Sequence, residues 1–184
     1  GASGPAWALA QLGGISKDER FIKKSLELVE YENTYFDEEI SNWRDIRECV
    51  DEEDIAYWCF GAAGIGIARI MLNQYIHGDT VKKDVRSVTG RLRKKDIIRN
   101  HSLCHGIFGK IDVMLWMVRN GYLEESVLKN ECKEAFESIC AEGFISGSKG
   151  NLADYSFMNG VSGVGYVLLR MLNPSLPCIL AIEV

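Results

Sequence analysis

The sequence predicts an all-α fold of repeated helical hairpins, and three observations support this. A Gly-x-x-Gly motif followed at once by an apolar run occurs at residues 1–4, 61–64, 106–109 and 160–163. The second glycines of these motifs are separated by 60, 45 and 54 residues, and about fifty residues is the size of a two-helix repeat. The segments between the motifs carry apolar residues at helical spacing, and no convincing run of alternating strand-type residues appears.

Each of the four motifs is predicted to open an inner helix, because the run behind it is apolar on nearly all sides, as in buried helices. A further match, GSKG at residues 147–150, is followed by no apolar run and is discounted as a helix start. Three amphipathic outer helices are predicted around the stripes Ile22–Leu26–Val29, Val81–Val85–Val88–Leu92 and Leu128–Cys132–Ala135–Phe136–Ile139. Such hairpins stack into a solenoid or close into an α/α toroid.

Two stretches interrupt this regularity. Residues 34–57 are acidic and irregular, and residues 143–157 are rich in Gly and Ser. We expect both to be loops over one mouth of the ring, with a short helix around Trp43 to Val50.

Composition narrows the class of protein. A net charge of -5 in 184 residues argues against nucleic acid or an anionic membrane surface as the main partner. No apolar run reaches membrane-spanning length and no secretory signal is visible, so we expect no membrane insertion. The spacing of the six cysteines does not suggest disulfides, since Cys132 and Cys140 share one predicted helix and Cys49 and Cys178 are isolated. We therefore expect a reducing, cytoplasmic location.

Three side chains with metal-binding chemistry occupy equivalent positions in two repeats. Cys59 lies two residues before Gly61, and Cys104 and His105 lie two and one before Gly106. Stacked repeats bring equivalent positions together, so these groups are expected to converge. Two thiolates and an imidazole suit Zn²⁺, and three protein ligands leave a position for water or substrate. The alternative, that each cysteine is a small buried side chain, stays open. Spacing does not decide whether a bound zinc would activate water or a thiol.

The segments WCFGAAGIGIARI, HSLCHGIFGKID and NGVSGVGYVLLRMLNPSLPCILAIE resemble the lanthionine synthetase C-like family, most closely the cyclase domain of bifunctional class II lanthipeptide synthetases. The resemblance runs from end to end of the chain. It implies an α/α toroid of seven inner and seven outer helices around one Zn²⁺ held by Cys59, Cys104 and His105. It also implies that a zinc-bound peptide thiolate adds to dehydroalanine or dehydrobutyrine, closing a thioether ring. Phe60 stands where class II enzymes often have His, which affects no ligand.

The resemblance also sets an expectation about what lies upstream. Family members carry an acid/base His immediately before the glycine equivalent to Gly1, and a catalytic Asp in an earlier repeat. Residues 1–184 are therefore expected to be a single domain, the C-terminal part of a seven-repeat barrel, with no acid/base residue of their own and no activity alone. The expected partners are a dehydrated precursor peptide with its leader and a dehydratase domain of the same polypeptide. Substrate-binding residues are not assigned.

Two other functions remain open at this point: a non-catalytic zinc-binding module that binds peptide, and a thiol-addition protein acting on glutathione-type substrates. A glycosidase of toroid fold would need paired carboxylates at the helix mouths, where the sequence has Cys, Cys-His and Asn159. Among nearby residues, we expect Trp58 to pack in the core and His101 to be a surface or capping residue, or else to approach the zinc. Asp112 is a candidate partner for the ring of His105.

Overall fold

The computed structural model of the chain describes residues 1–46, 56–150 and 153–183. These residues form seven α-helices, two very short antiparallel strands and one 3₁₀ turn at Ile179–Ala181. The helices are α1 (Ser3–Ser16), α2 (Glu19–Asn33), α3 (Ala62–Leu72), α4 (Asp79–Leu92), α5 (Ile107–Arg119), α6 (Glu125–Glu142) and α7 (Val161–Leu172), and the strands are β1 (Phe36–Asp37) and β2 (Asn42–Trp43). The predicted all-α class is confirmed.

The positions of the helices follow the glycine motifs and the apolar stripes. Helices α3, α5 and α7 each begin at the residue after the first glycine of a motif, and α1 begins two residues after Gly1. The three predicted outer helices are α2, α4 and α6. No helix in the described part of the chain has the length and apolar content that crossing a membrane requires.

The chain divides into two compact units, Gly1–Ala56 with Phe60–Arg91 and Tyr57–Cys59 with Leu92–Val184. In the first unit, α1 packs against α2 and α3. Its apolar core is formed by Ala6, Ala10, Val29, Leu72, Ile76 and Val81. That residues 1–184 form a single domain stays a prediction.

An arginine on α3 links three helices of the first unit. The guanidinium of Arg69 is fully buried, and its Nε lies 2.7 Å from a carboxylate oxygen of Asp84 on α4. Its Nη2 lies 2.9 Å from Glu32 on α2. A buried charge is tolerated only when it is paired and hydrogen-bonded, so this arginine holds α2, α3 and α4 in a fixed arrangement.

The second unit is built around α5, which packs against α6, α7 and the 3₁₀ turn. The apolar residues of α5 are buried on nearly all faces of the helix, as predicted for an inner helix. The one lysine of α5, Lys110, is also buried, with its ammonium 2.7 Å from Asp96 and 2.8 Å from Glu131 on α6. Two residues further along α5, buried Asp112 is ion-paired with Arg170 of α7.

The prediction that all inner helices are buried on nearly all sides is wrong for α1 and α7. Leu12 and Ile15 of α1 are 46% and 73% exposed, and Leu169 and Leu172 of α7 are 56% and 84% exposed. Apolar composition alone cannot show how many faces of a helix are packed. Apolar composition indicates only that a helix has more apolar surface than one neighbouring helix can cover.

The expected helix around Trp43 to Val50 is not formed in its described part, since Trp43 belongs to β2 and residues 44–46 have no regular structure. Residues 47–55, with Arg47 and Cys49, lie outside the described residues. The side chain of Trp43 is buried against Phe36, and its Nε1 donates to Asn33 at 2.9 Å. These contacts of the Trp43 ring stabilise the extended pairing of β2 with β1 in place of the expected helix.

Candidate metal centre

The loops that precede α5 and α7 fold in the same way. In the first loop, the side chain of Asn100 accepts a hydrogen bond from the amide of Ser102 at 3.0 Å. In the second, Asp154 accepts in the same manner from Ser156 at 2.7 Å. The backbone carbonyls of Asn100 and Asp154 also accept from the first amide of the following helix, at 3.1 and 2.9 Å. Short polar side chains commonly fix turns by such local bonds.

Backbone hydrogen bonds connect the cysteine positions of successive loops. The amide of Cys59 donates to the carbonyl of Cys104 at 3.2 Å. The amide of Cys104 donates in turn to the carbonyl of Met158, which occupies the same position in the loop before α7, at 2.9 Å. Equivalent positions of three loops therefore lie side by side. This row of bonds is the physical reason that groups about 45 residues apart in the chain meet.

The structure brings together all three of the predicted ligand side chains. The thiol sulfurs of Cys59 and Cys104 and a ring nitrogen of His105 lie within 4.8 Å of one another, all in the second unit. Cys59 is exposed, and Cys104 and His105 are half-buried. Two residues after Cys59, Gly61 has a φ of 94°, a backbone conformation that only glycine adopts readily.

The orientation of the His105 ring is fixed by a hydrogen bond to a backbone carbonyl. Its Nε2 lies 3.0 Å from the carbonyl oxygen of Gly147. A carbonyl oxygen can only accept a hydrogen bond, so Nε2 carries a proton, and in the neutral ring Nδ1 then has the lone pair. Histidines that bind metals usually donate their other N–H to such an acceptor. The ring is thus held in the tautomer that offers Nδ1 as a ligand.

Gly147 was not identified from the sequence as part of the site. Its amide donates to the carbonyl of Asn159 at 2.8 Å while its carbonyl accepts from His105. A Cβ at this position would lie 2.7 Å from Oγ of Ser102 and 3.1 Å from Cε1 of His105, so a side chain does not fit without displacement. The only sequence signal for Gly147 was the GSKG match at residues 147–150. This match does not start a helix, but its first glycine allows the backbone to lie close to Ser102 and His105.

The prediction that Asp112 supports the ring of His105 is wrong. Asp112 is 1% exposed, forms an ion pair with Arg170 and accepts a hydrogen bond from the thiol of Cys178 at 3.3 Å. Its partners therefore lie on α7 and in residues 173–183, the C-terminal segment. A carboxylate in the interior of a buried helix is stabilised more by an ion pair with a cation than by a hydrogen bond from a neutral imidazole.

Trp58, next to Cys59, is anchored by the C-terminal segment. Its indole Nε1 donates to the carbonyl of Leu180 at 3.2 Å, and the side chain is half-buried. The C-terminal segment is itself fixed by Glu183, whose carboxylate accepts from Trp116 at 2.7 Å and from the amide of Cys178 at 2.7 Å. Trp58 is therefore not the core residue that was expected, and its hydrogen bond restrains the backbone next to Cys59.

The five described cysteines are all thiols, and their environments differ: two are buried, two are exposed and Cys104 is half-buried. Burial raises the pKa of Cys178 to about 12 and that of Cys132 to about 11. Cys59 and Cys140 are exposed. Because the thiolate is the reactive form, the two buried thiols are expected to be inert.

Alkylation of the folded, metal-free chain with iodoacetamide near pH 8 should therefore modify Cys59 and Cys140 and leave Cys132 and Cys178 intact until the chain is unfolded. Peptide mass mapping after short exposure measures the extent at each site. Modification of Cys178 at the rate of Cys140 would contradict the described packing of the C-terminal segment.

Comparison with known proteins identifies the family of this chain. The model of the family described as lanthionine synthetase C-like protein matches residues 1–183. A curated relative, the lacticin 481/lactococcin biosynthesis protein LcnDR2 of Lactococcus lactis subsp. lactis, is 31% identical over 187 residues. The match covers 94% of this chain and 20% of the relative, so the chain spans about a fifth of that protein's length. The chain belongs to the lanthionine synthetase C-like family.

Proposed function

We propose that this chain is the cyclase part of a class II lanthipeptide synthetase, which forms thioether rings in a dehydrated precursor peptide. The observation that carries the proposal is the convergence of two thiols and an imidazole within 4.8 Å in a member of this family. The relative's name connects that protein with lacticin 481 biosynthesis. The substrate is then a precursor peptide whose serines and threonines have become dehydroalanine and dehydrobutyrine.

The donor set fits Zn²⁺. Two sulfurs and one nitrogen are ligands that zinc accepts, whereas Mg²⁺ and Ca²⁺ require oxygen. With Zn–S bonds of about 2.3 Å, two sulfurs of a tetrahedral site are about 3.8 Å apart. The ligand atoms already lie within 4.8 Å, so small rotations of the side chains bring them to bonding positions. We therefore assign Cys59, Cys104 and Nδ1 of His105 as the zinc ligands.

The number and exposure of the ligands favour a reactive site over a structural one. Structural zinc sites are closed by four protein ligands, whereas catalytic sites have three and keep one position for a substrate. In the described residues only these three metal-binding groups cluster, and Cys59 is exposed to solvent. When bound there, zinc would supply a Lewis acid that lowers the pKa of a substrate thiol to below neutrality.

The proposed reaction is an addition without a leaving group. The sulfur of a peptide cysteine forms a bond to the β-carbon of a dehydroalanine or dehydrobutyrine, and the carbon–carbon double bond becomes single. The proton released by the thiol is balanced by one taken up at the α-carbon, so no oxidant or reductant is required. Residues 1–184 contribute the ligands and the fixed orientation of His105, and we assign no acid or base among them.

The proposed partners follow from the same assignment. They are the dehydrated precursor peptide with its leader and a dehydratase domain in the same polypeptide, and the proposed location is the cytoplasm. Half-buried Cys104 and His105 beside exposed Cys59 leave an approach to the site from one side, as a peptide substrate needs.

The test uses the complete polypeptide that contains these residues and a dehydrated precursor peptide. Ring formation leaves the peptide mass unchanged, so it is measured as the loss of thiols that N-ethylmaleimide can label. We expect loss of labelling with the parent protein and with Cys140→Ala, whose thiol is exposed outside the site, and none with Cys59→Ala.

Two outcomes would contradict the proposal. Retention of all labelled thiols by the parent, with the peptide bound, would indicate a binding module. Addition of glutathione to the dehydrated residues in place of ring closure would indicate a thiol-addition protein with a small-molecule substrate.

A further inference from the structure

His101 is buried in the loop before α5, three residues ahead of Cys104. Its side chain is fully inaccessible to solvent, so the expectation of a surface residue is wrong. The ring lies against Phe144, with centroids 5.9 Å apart, and it is not a member of the group formed by Cys59, Cys104 and His105. A buried polar ring needs hydrogen-bond partners, and both ring nitrogens of His101 have one.

These partners define the tautomer. The amide of Ile145 donates to Nδ1 at 2.9 Å, so Nδ1 is unprotonated. Nε2 therefore carries the proton, and it lies 3.1 Å from the hydroxyl of Ser138 on α6. Burial lowers the pKa of His101 below its ordinary value of 6.5, although the charge of Glu142 acts in the opposite direction. The imidazole is thus neutral near pH 7, as the hydrogen bond from the amide of Ile145 requires.

His101 holds the segment that fixes the orientation of His105. Besides the bond to Nδ1, the amide of His101 donates to the carbonyl of Ile145 at 2.9 Å, so Ile145 is bound through both its N–H and its C=O. Two residues further along the chain, the carbonyl of Gly147 accepts from Nε2 of His105 at 3.0 Å. A shift of residues 145–147 would remove this acceptor.

We propose that His101 is a positioning residue, which holds the 145–147 segment so that the carbonyl of Gly147 keeps His105 in the tautomer with Nδ1 available to the metal. The inference rests on the proposed metal centre for its functional meaning. Its structural part concerns the ring of His105 and is testable without metal.

The required chemical feature of His101 is an acceptor at the place of Nδ1. Asparagine puts its carbonyl oxygen close to that place, whereas glutamine puts its amide near the place of Nε2. His101→Asn therefore preserves the bond from Ile145 and loses the bond to Ser138, and His101→Gln does the opposite. The two variants are both polar and of similar size, so they differ mainly in which bond remains.

The first readout is the tautomer of His105, obtained from the nitrogen chemical shifts of its ring in the metal-free chain. The chain has 3 histidines, which makes the assignment simple. We expect a single tautomer protonated at Nε2 in the parent and in His101→Asn, and a mixture of tautomers in His101→Gln. A single Nε2–H tautomer in His101→Gln, or a mixture in both variants, would overturn the inference.

The second readout is zinc affinity, measured in competition with a chelator. We expect His101→Gln to bind zinc about tenfold more weakly, at the lower end of the range for lost partners of metal-binding histidines, and His101→Asn to bind like the parent. Val167→Ala is the control for general destabilisation, since Val167 is fully buried in α7 and outside these hydrogen bonds. Equal weakening in Val167→Ala would assign the effect to stability alone and overturn the inference.

The two proposals fail in different ways. If the parent binds no zinc and the tautomer of His105 still depends on His101, the positioning role stands and the proposed metal function is wrong. If zinc binds equally to the parent and to His101→Gln, the metal function stands and the positioning role is wrong.

Discussion

Replacement of Gly163 by alanine is expected to destabilise the chain by about 3 kcal/mol, the upper end of the cost of overpacking. A Cβ at Gly163 would lie 1.9 Å from the carbonyl oxygen of Phe157, and a backbone oxygen cannot rotate away as a side chain does. Gly109 of α5 meets the carbonyl of Leu103 at the same distance, six residues earlier in the chain. In both motifs the second glycine thus lets the preceding loop fold over the start of its helix.

Gly165, two residues further along α7, provides the matched control. Apart from its neighbours in the chain and the adjacent backbone of α7, no heavy atom lies within 4 Å of the place of its Cβ, so Gly165→Ala is expected to be neutral or stabilising by up to about 1 kcal/mol. Urea unfolding of the two variants and the parent measures the difference, provided that the slope of the transition is unchanged. A loss of less than about 1 kcal/mol in Gly163→Ala would contradict the close approach of loop and helix.

Removal of the Asp112 carboxylate is expected to cost about 3 kcal/mol or more, because it leaves a charged guanidinium buried without its partner. Arg170 is 2% exposed and Asp112 is 1% exposed, so water cannot replace the lost interaction. The pair joins α5 to α7, the two helices whose preceding loops contain Cys104 and Met158. Asp112→Ala should therefore lower the midpoint of thermal unfolding strongly.

A surface carboxylate serves as the control for this effect. Glu137 lies on the exposed side of α6, 3.8 Å from Lys133, and Glu137→Ala is expected to change stability by less than about 0.5 kcal/mol. The double variant Asp112→Leu with Arg170→Leu is expected to recover much of the loss, because it removes the charge together with its partner. Equal effects of Asp112→Ala and Glu137→Ala would show that the ion pair is not buried in solution.

The helices could be predicted from the sequence because their signals are local. The stripe from Val81 to Leu92 has the period of one packed helix face, and α4 covers these residues. The glycine motifs locate the starts of α3, α5 and α7. At Gly109 and Gly163 the preceding loop approaches the helix so closely that a side chain does not fit. These rules involve residues only a few positions apart.

The convergence of the ligand side chains was predictable for a different reason. Cys59 and Cys104 occupy the same position in two copies of one motif, and repeats place equivalent positions side by side. The backbone hydrogen bond between Cys59 and Cys104 directly joins these equivalent positions. The metal itself has been inferred from the chemistry of the side chains and from the family.

The supporting contacts could not be predicted, because they join residues far apart in the chain that no periodicity relates. His105 is bonded to Gly147, 42 positions away, and His101 to Ile145, 44 positions away. Asp112 is paired with Arg170 across 58 positions. Each polar residue has several partners with suitable chemistry in the sequence, and only the packed structure determines which one lies within hydrogen-bond distance.

Zinc content per chain is the measurement that tests the central claim most directly. Elemental analysis should find about one zinc in the purified parent protein and in Cys140→Ala, and almost none in Cys59→Ala or Cys104→Ala, all four being folded by circular dichroism. Loss in both ligand variants, with retention in the control, would establish the site. A folded parent without zinc, or zinc retained in both ligand variants, would contradict the metal centre and with it the proposed cyclase chemistry.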